Sequence, residues 1–446
     1  MITLFNIDLD KYDAVFEKET YVRRMGRVVQ VVGLTIESMG PEVNIGSTCL
    51  IRAAKYKTPV IAEVVGFKNN HVLLMPLGNI SGIGPGSIVE AMGRPLSIHV
   101  SDALLGRVLN GLGQPMDDKP PVEGAEFPIT NVPPNPLVRT RITQPLSVGV
   151  KAIDGLLTIG RGQRVGIFAG SGVGKSTLLG MIARNTTADI SVIGLVGERG
   201  REVREFIEKD LGEEGLARSV LVVATSDQPA LVRLKAAEVA TSVAEYFRSR
   251  GKDVMLLMDS LTRYAMAQRE VGLAAGEPPV TRGYTPSVFA SMPKLLERAG
   301  TSDKGSITGL YTVLVDGDDL TEPVTDTARG ILDGHIVLSR KIANRNHYPS
   351  IDVLASVSRV MSDIVTPEHK KAANEIKKSM AIYSDAEDLI NIGAYVKGSS
   401  EDIDDAIEKH VDIMDFLVQG THEKYGLDDA VSIMNNILGV NNLGQI

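Results

Sequence analysis

Hydrophobic and polar positions change their rhythm several times along the chain. Between residue 24 and about residue 92, short apolar or alternating runs at 28–32, 47–51, 60–65 and 71–75 are separated by turn signals. Those signals include Lys68-Asn69-Asn70 and Gly82-Ile83-Gly84-Pro85-Gly86. Several short strands in so short a span predict a small closed β-barrel. Ahead of them, Ile7 or Leu9, Tyr12, Val15 and Phe16 recur at helical spacing, so a short amphipathic helix is expected over 7–18. Residues 94–150 are rich in glycine and proline, with Pro120, Pro121, Pro128, Pro133, Pro134 and Pro136, and read as an extended connector wrapping the next domain. Apolar, β-rich runs at 165–168, 190–196, 221–224, 254–258 and 311–315 then alternate with helical patterns such as 230–250, which predicts an α/β domain with a largely parallel sheet. From Thr366-Pro367-Glu368, an N-cap followed by proline at the first helical position, the pattern is helical. Ser400 precedes Ile403, Ile407, Val411, Met414 and Leu417, Gly420 stops that helix, and a last helix is expected over 427–438. The expected division is 1–93, 94–365 and 366–446.

Composition narrows the class. A chain of 446 residues with 43% hydrophobic and 23% charged residues is an ordinary globular protein with length for a large core. A net charge of −8 and few aromatics in the barrel argue against a nucleic-acid binder. No apolar run approaches the roughly 18 residues that span a membrane, and no signal-peptide pattern opens the sequence, so a cytoplasmic setting is expected. Cys49 is the only cysteine. It lies in an alternating apolar stretch and reads as core packing in preference to a reactive thiol.

The strongest chemical signal is Phe168-Ala169-Gly170-Ser171-Gly172-Val173-Gly174-Lys175-Ser176-Thr177, between an apolar strand and the helical start Leu178-Leu179-Gly180-Met181-Ile182-Ala183. Strand, glycine-rich turn, Lys-Ser/Thr and helix form a P-loop in its required context. Glycines let successive backbone N–H groups close around phosphates, and the helix N-terminus adds partial positive charge. Lys175 is expected to reach the β- and γ-phosphates of a nucleoside triphosphate and the Ser176 hydroxyl to ligate magnesium. Ala169 stands where the pattern has its first glycine, a position that closes the strand and does not touch phosphate.

In an open parallel sheet, ligands bind beyond the carboxyl ends of the strands, so the residues directly after each strand carry the information. Asp259 ends the apolar run 254–258. It is either the magnesium-side acid, acting through the metal's water shell, or a cap on the next helix. Glu198, in Gly197-Glu198-Arg199, emerges at the same edge. It either orients a water for in-line attack on the γ-phosphate or makes a surface ion pair with Arg199, Arg201 or Arg204. Spacing alone does not choose an arginine finger among 47 lysines and arginines.

Pro349-Ser350-Ile351-Asp352-Val353-Leu354-Ala355-Ser356-Val357-Ser358-Arg359 resembles the signature of the rotary ATPase α/β family. With the glycine-rich loop, Gly197-Glu198-Arg199 and Met258-Asp259-Ser260 in this order, the resemblance spans nearly the whole chain. Gly160-Arg161-Gly162-Gln163-Arg164-Val165-Gly166, Arg282-Gly283-Tyr284-Thr285-Pro286-Ser287-Val288-Phe289 and Asp333-Gly334-His335-Ile336-Val337-Leu338-Ser339-Arg340 are similar to its type III protein-export branch, with flagellar members favoured over virulence-secretion ones. The resemblance implies a RecA-like P-loop core between an N-terminal β-barrel and a C-terminal helical domain. It implies ATP and Mg2+ as ligands and a homohexameric ring with sites between subunits. It makes Glu198 the carboxylate that activates water, Asp259 the magnesium-side acid and Arg359 the finger that reaches a neighbour's γ-phosphate, unless Arg359 makes an ion pair within its own subunit. Tyr348 matches an adenine-stacking tyrosine, with simple packing as the alternative. Arg199 and Arg263 match charged positions near the site, and the turn Gly283-Tyr284-Thr285-Pro286 a loop facing the ring's central hole. The implied partners are a stator-like regulator on the opening helix, a coiled-coil central-stalk protein and substrate–chaperone complexes at the C-terminal helices, and a membrane export gate that the protein meets peripherally, with no nucleic acid.

Three other readings compete. The catalytic subunit of a proton-coupled ATP synthase is disfavoured because the acidic helix-turn of that family is not evident near Leu427-Asp428-Asp429. A non-catalytic rotary subunit is disfavoured by the presence of both Lys175 and Glu198. An RNA-translocating hexameric helicase is disfavoured by acidic charge and an aromatic-poor barrel.

Overall fold

The computed structural model describes residues 23–52, 58–315, 319 and 321–440. The helix expected over 7–18 lies outside the described residues. The chain divides into two compact units, 1–96 and 97–446.

In the first unit, Met25–Val32, Thr35–Met39, His71–Pro76, Val60–Lys68, Thr48–Arg52 and Ile88–Ala91 close, in that order, into an antiparallel barrel. Strand alternation turns Val28, Ile36, Ile51, Val64, Leu74 and Val89 inward onto one core. Cys49 is part of that core, and burial pushes its thiol up to about 11. The alternating pattern predicted four of these strands. Thr35–Met39 is short, carries the polar residues Thr35, Glu37 and Ser38, and follows a two-residue turn at Gly33, whose φ is +57°. Ile88–Ala91 has only four residues.

The second unit is built on a nine-stranded sheet. Its strand order is Ile351–Ser358, Gly334–Leu338, Arg164–Ala169, Ser306–Leu314, Asp253–Asp259, Ile190–Glu198, Ser219–Thr225 and Arg107–Asn110, with Gly300–Thr301 beside Ser306–Leu314. Every pairing along this path is parallel except that of Ile351–Ser358 with Gly334–Leu338. Central strands buried on both faces read as continuous apolar runs, which is why 190–196 and 254–258 were legible. The edge strand Arg107–Asn110 comes from the proline-rich connector. Further along, the connector is fixed by a buried charge. Arg298 donates to both carboxylate oxygens of Glu245 (2.9 and 2.7 Å), to the Ile129 carbonyl (2.9 Å) and to Ser242 Oγ (2.7 Å), and Asn131 also donates to Glu245 (2.8 Å).

The C-terminal helices Pro367–Asn391, Glu401–Leu417 and Leu427–Ile437 share the core of this unit: Ile376, Ile413, Phe416 and Met434 join Ile153, Leu156 and Ile167 in one cluster. The first two helices begin as their sequences dictate, with Thr366 Oγ1 accepting from His369 N at 3.2 Å and Ser400 Oγ from Ile403 N at 3.5 Å. They dock on the helix Lys151–Leu156, where the absent side chain of Gly155 admits Phe416 and Met434. A Cβ there would stand 3.0 and 3.1 Å from their nearest atoms. Among the described residues no helix is long and apolar enough to cross a membrane.

Removing Arg298 leaves Glu245 as a buried charge with one remaining side-chain donor. Arg298→Ala is expected to destabilise the second unit by about 3–5 kcal/mol, read as a lower denaturant midpoint, whereas Arg298→Met combined with Glu245→Leu recovers most of the loss.

Candidate active site

Three parallel strands deliver the chemistry to one edge of the sheet. The strand Arg164–Ala169 runs into the glycine-rich loop, in which Gly172 (φ +78°) and Gly174 (φ +86°) adopt the left-handed backbone that lets the chain turn back into the helix Lys175–Asn185. In the strand Ile190–Glu198 the pairing slips between Val196 and Glu198, because Gly197 has φ +74° and packs against Arg263. A Cβ there would lie 2.9 Å from Arg263 Cβ. That irregularity brings Glu198 into the cleft. Asp259, the last residue of its strand, pairs in register with Leu195.

Lys175, Glu198 and Asp259 meet there. Lys175 Nζ lies 2.5 Å from Asp259 Oδ1 and 3.7 Å from Glu198 Oε1. Burial alone would push the Lys175 ammonium down, but the two carboxylates hold it above its ordinary value. Burial, and then the charge of Asp259, push the Glu198 carboxyl up to about 7, against the pull of Lys175. Glu198 Oε1 is buried without a hydrogen-bond partner, and a side-chain hydrogen bond between Glu198 and Glu202 adds to the upward push on its proton. Ser260 Oγ, not Asp259, caps the following helix by accepting from Arg263 N, and Arg199 pairs with Glu202 (3.2 Å), not with Glu198. Asp259 therefore does not cap that helix, and the ion-pair partner of Glu198 among the described residues is Lys175.

Lys175 and Glu198 open onto a cleft of about 450 Å3, bounded by Ala169, Gly170, Ser171, Gly172, Gly174, Lys175, Ser176 and Thr177 on one side and by Glu198, Arg199, Glu202, Ser226 and Arg263 on the other. A larger hollow of about 660 Å3 lies in the barrel unit, lined in part by Arg23, Arg24, Glu42, Glu90 and Arg94, and has neither a glycine-rich turn nor a helix N-terminus. The chemistry sits in the smaller cleft. Ser176 is exposed at its mouth. A serine hydroxyl and one aspartate are hard oxygen donors of the kind Mg2+ takes alongside phosphate oxygens and water. Among the described residues no group of three or more His, Cys, Asp or Glu would hold a metal without nucleotide.

Tyr348 is 40% exposed, and its ring stands against the loop: a Cβ on Gly174 would meet it at 3.3 Å. Val173 itself is buried beneath the loop, and its carbonyl accepts from the buried Ser350 hydroxyl at 2.7 Å. The Gln419 backbone N–H donates to the Tyr348 carbonyl at 3.0 Å. Arg359 is elsewhere. It ends the antiparallel strand, its N–H donates to the Asp333 carbonyl (3.1 Å) and its guanidinium to the Arg329 carbonyl (3.3 Å). Register puts Ser358 beside Gly334, and Ala169 beside Leu338 at the opposite end of the strands. At a rise of about 3.3 Å per residue, Arg359 is therefore on the order of 15 Å from its own glycine-rich loop. It makes no ion pair with any described residue.

Sequence reasoning passed over Ser350, which lies within the quoted signature, and Thr312, which donates to Asp259 Oδ1 at 2.7 Å. The available signal for Thr312 was a single threonine in the otherwise bulky run Leu310-Tyr311-Thr312-Val313-Leu314.

Residues 149–358 match the ATP synthase alpha/beta family, nucleotide-binding domain; residues 28–93 match the β-barrel domain of the same family; and residues 365–436 match the T3SS EscN ATPase C-terminal domain. The chain is 56% identical to the flagellum-specific ATP synthase of Bacillus subtilis, over 96% of this chain and 98% of that protein. It is 50% identical to a type 3 secretion system ATPase of Xanthomonas euvesicatoria, over 93% of this chain and 94% of that one. Among solved structures it resembles the assembled ATPase EscN of the enteropathogenic E. coli type III secretion system, with a TM-score of 0.88, 48% identity and coverage of 93% of this chain and 100% of that one. It likewise resembles EscN in complex with its central stalk EscO, with a TM-score of 0.86, 47% identity and the same coverage.

The Glu198 carboxyl binds its proton more tightly in the folded chain than in the unfolded one, so its contribution favours folding at low pH and is lost as pH rises from about 4.5 through about 7. Glu198→Gln, which fixes the neutral form, is expected to gain about 3 kcal/mol of unfolding free energy on the wild type across that window in nucleotide-free protein. Denaturant unfolding of both proteins at a series of pH values checks this; parallel curves would remove the assignment.

Proposed function

The chain belongs to the ATP synthase alpha/beta family, and on that footing we propose that it is the Mg2+-dependent ATPase that energises a type III protein-export apparatus of the flagellar kind. The observation that carries the mechanism is the contact of Lys175 with Asp259 and Glu198 at the mouth of the glycine-rich loop. Without nucleotide, the lysine's positive charge is spent on the two acids. The β- and γ-phosphates of ATP compete for it, and its departure frees Asp259 and Glu198 for their own work.

Glu198 then orients a water for in-line attack on the γ-phosphorus and takes up the water's proton as the bond to the β–γ bridging oxygen breaks. Ser176 and Asp259 would hold Mg2+, which supplies charge neutralisation on the β- and γ-phosphate oxygens. Backbone N–H groups of residues 170–177 cradle the phosphates, and Tyr348, exposed beside Gly174, offers its ring to the adenine. Arg199 and Arg263 line the cleft and add positive charge around the phosphates. Arg359 is too far from its own loop to serve it and has no ionic partner among the described residues, so its role is to complete the site of a neighbouring subunit.

This makes a homohexameric ring with composite sites the working assembly, divided functionally into a barrel over 1–93, a nucleotide domain over 94–365 and a helical domain over 366–446. The solved complex of EscN with its central stalk supports a stalk protein as partner for the C-terminal helices. The stator-like regulator, the export gate and substrate–chaperone complexes complete the set. The protein works in the cytoplasm and associates peripherally with the inner face of the membrane.

Glu198→Gln is expected to bind ATP at near wild-type affinity while losing nearly all turnover; near-normal hydrolysis would remove Glu198 from the chemistry. Arg359→Ala is expected to lose about 10³-fold or more in hydrolysis rate. Mixed in equal amounts, the two inactive variants should regain part of the activity, because some junctions then combine an intact Glu198 with an intact Arg359. Mixed rings that remain inactive would show that the finger does not act between subunits.

A further inference from the structure

We propose that Thr312 is the positioning residue of the magnesium site: its hydroxyl keeps the Asp259 carboxylate in place when Lys175 leaves for the phosphates. Thr312 lies on Ser306–Leu314, the strand between the loop-bearing strand Arg164–Ala169 and the strand ended by Asp259. It is fully buried. Its Oγ1 donates to Asp259 Oδ1 at 2.7 Å, with a longer approach of 3.4 Å to the Met258 carbonyl. Its chain neighbours Tyr311 and Val313 are buried too, and valine would fill the same volume. Packing therefore gives no reason for a hydroxyl here, and a buried hydroxyl is costly unless it is hydrogen-bonded. The partner it has is the acid of the site.

The consequence follows from how the oxygens of Asp259 are used. Oδ1 accepts from both Lys175 and Thr312, and Oδ2 accepts from none of the described residues. When triphosphate draws Lys175 away, Thr312 is the one side-chain donor among the described residues left on Asp259. A carboxylate held through Oδ1 cannot swing after the departing ammonium, so Oδ2 stays available to the hydration shell of the metal. Such outer partners of metal-site ligands typically change metal affinity by about 10–100-fold when removed.

The inference rests on reading Asp259 as the magnesium-side acid, and the test separates the two. A fluorescent N-methylanthraniloyl ATP is bound to the full-length protein in EDTA and then titrated with Mg2+. Thr312→Val is expected to leave the metal-free nucleotide affinity unchanged while raising the Mg2+ midpoint about 10–100-fold, and Thr312→Ser to restore that midpoint. Should valine not pack, Thr312→Ala makes the same comparison. A wild-type Mg2+ midpoint in the valine or alanine variant, or a serine variant that behaves like valine, overturns the proposal. Asp259→Asn run alongside assigns the failure. If it shifts the midpoint and Thr312→Val does not, Thr312 alone is wrong; if Asp259→Asn shifts nothing, the reading of Asp259 falls first.

Discussion

The rest of the site depends on one buried meeting of unlike charges, the ammonium of Lys175 between the carboxylates of Asp259 and Glu198. Two acids at the carboxyl ends of adjacent strands repel each other in a medium that screens poorly. The lysine makes their burial tolerable, and it comes from the helix after the glycine-rich loop, so the loop must hold its shape for the acids to be stable. The bracing of Val173 by Ser350 and the contact of Tyr348 with Gly174 serve that end from the segment that leads into the strand Ile351–Ser358. Glycines supply the left-handed backbone that this requires: Gly172 and Gly174 turn the loop, and Gly197 sets the irregularity that delivers Glu198.

The sheet also separates functions along its length. Parallel strands gather the phosphate loop and both acids at their carboxyl ends, while the antiparallel strand Ile351–Ser358 carries Arg359 the other way. One eight-residue strand begins beside Ser350, against the subunit's own loop, and ends at a guanidinium with no ionic partner among the described residues. A net charge of −8 over the whole chain makes that unpaired arginine more conspicuous. The C-terminal helices join the same core, so a displacement at their far ends bears on the helix Lys151–Leu156 and on Gln419, which touches the Tyr348 carbonyl.

Much of this was legible because the relevant signals are local. A buried parallel strand is a run of apolar residues, and an acid directly after it marks the ligand edge, which is how Glu198 and Asp259 stood out. Caps at Thr366 and Ser400 were readable for the same reason. Edge strands and long-range partners were not. Arg107–Asn110 hides in a proline-rich connector, because an edge strand needs apolar residues on only part of its surface. Thr312 and Ser350 act across the sheet, and no periodicity says which strand lies beside which. Arg359 was singled out through resemblance to a family, and only the register shows how far it lies from its own loop.

The barrel interior has a practical consequence. Cys49 is the sole thiol of the chain, sealed in the barrel with its proton held up to about 11. At neutral pH it is neither reachable nor nucleophilic. The natural sequence is therefore already a blank background for thiol chemistry. A cysteine placed beside residue 359 and another near the cleft would carry spectroscopic labels without first removing a native one, which opens the subunit contact proposed for Arg359 to direct distance measurement.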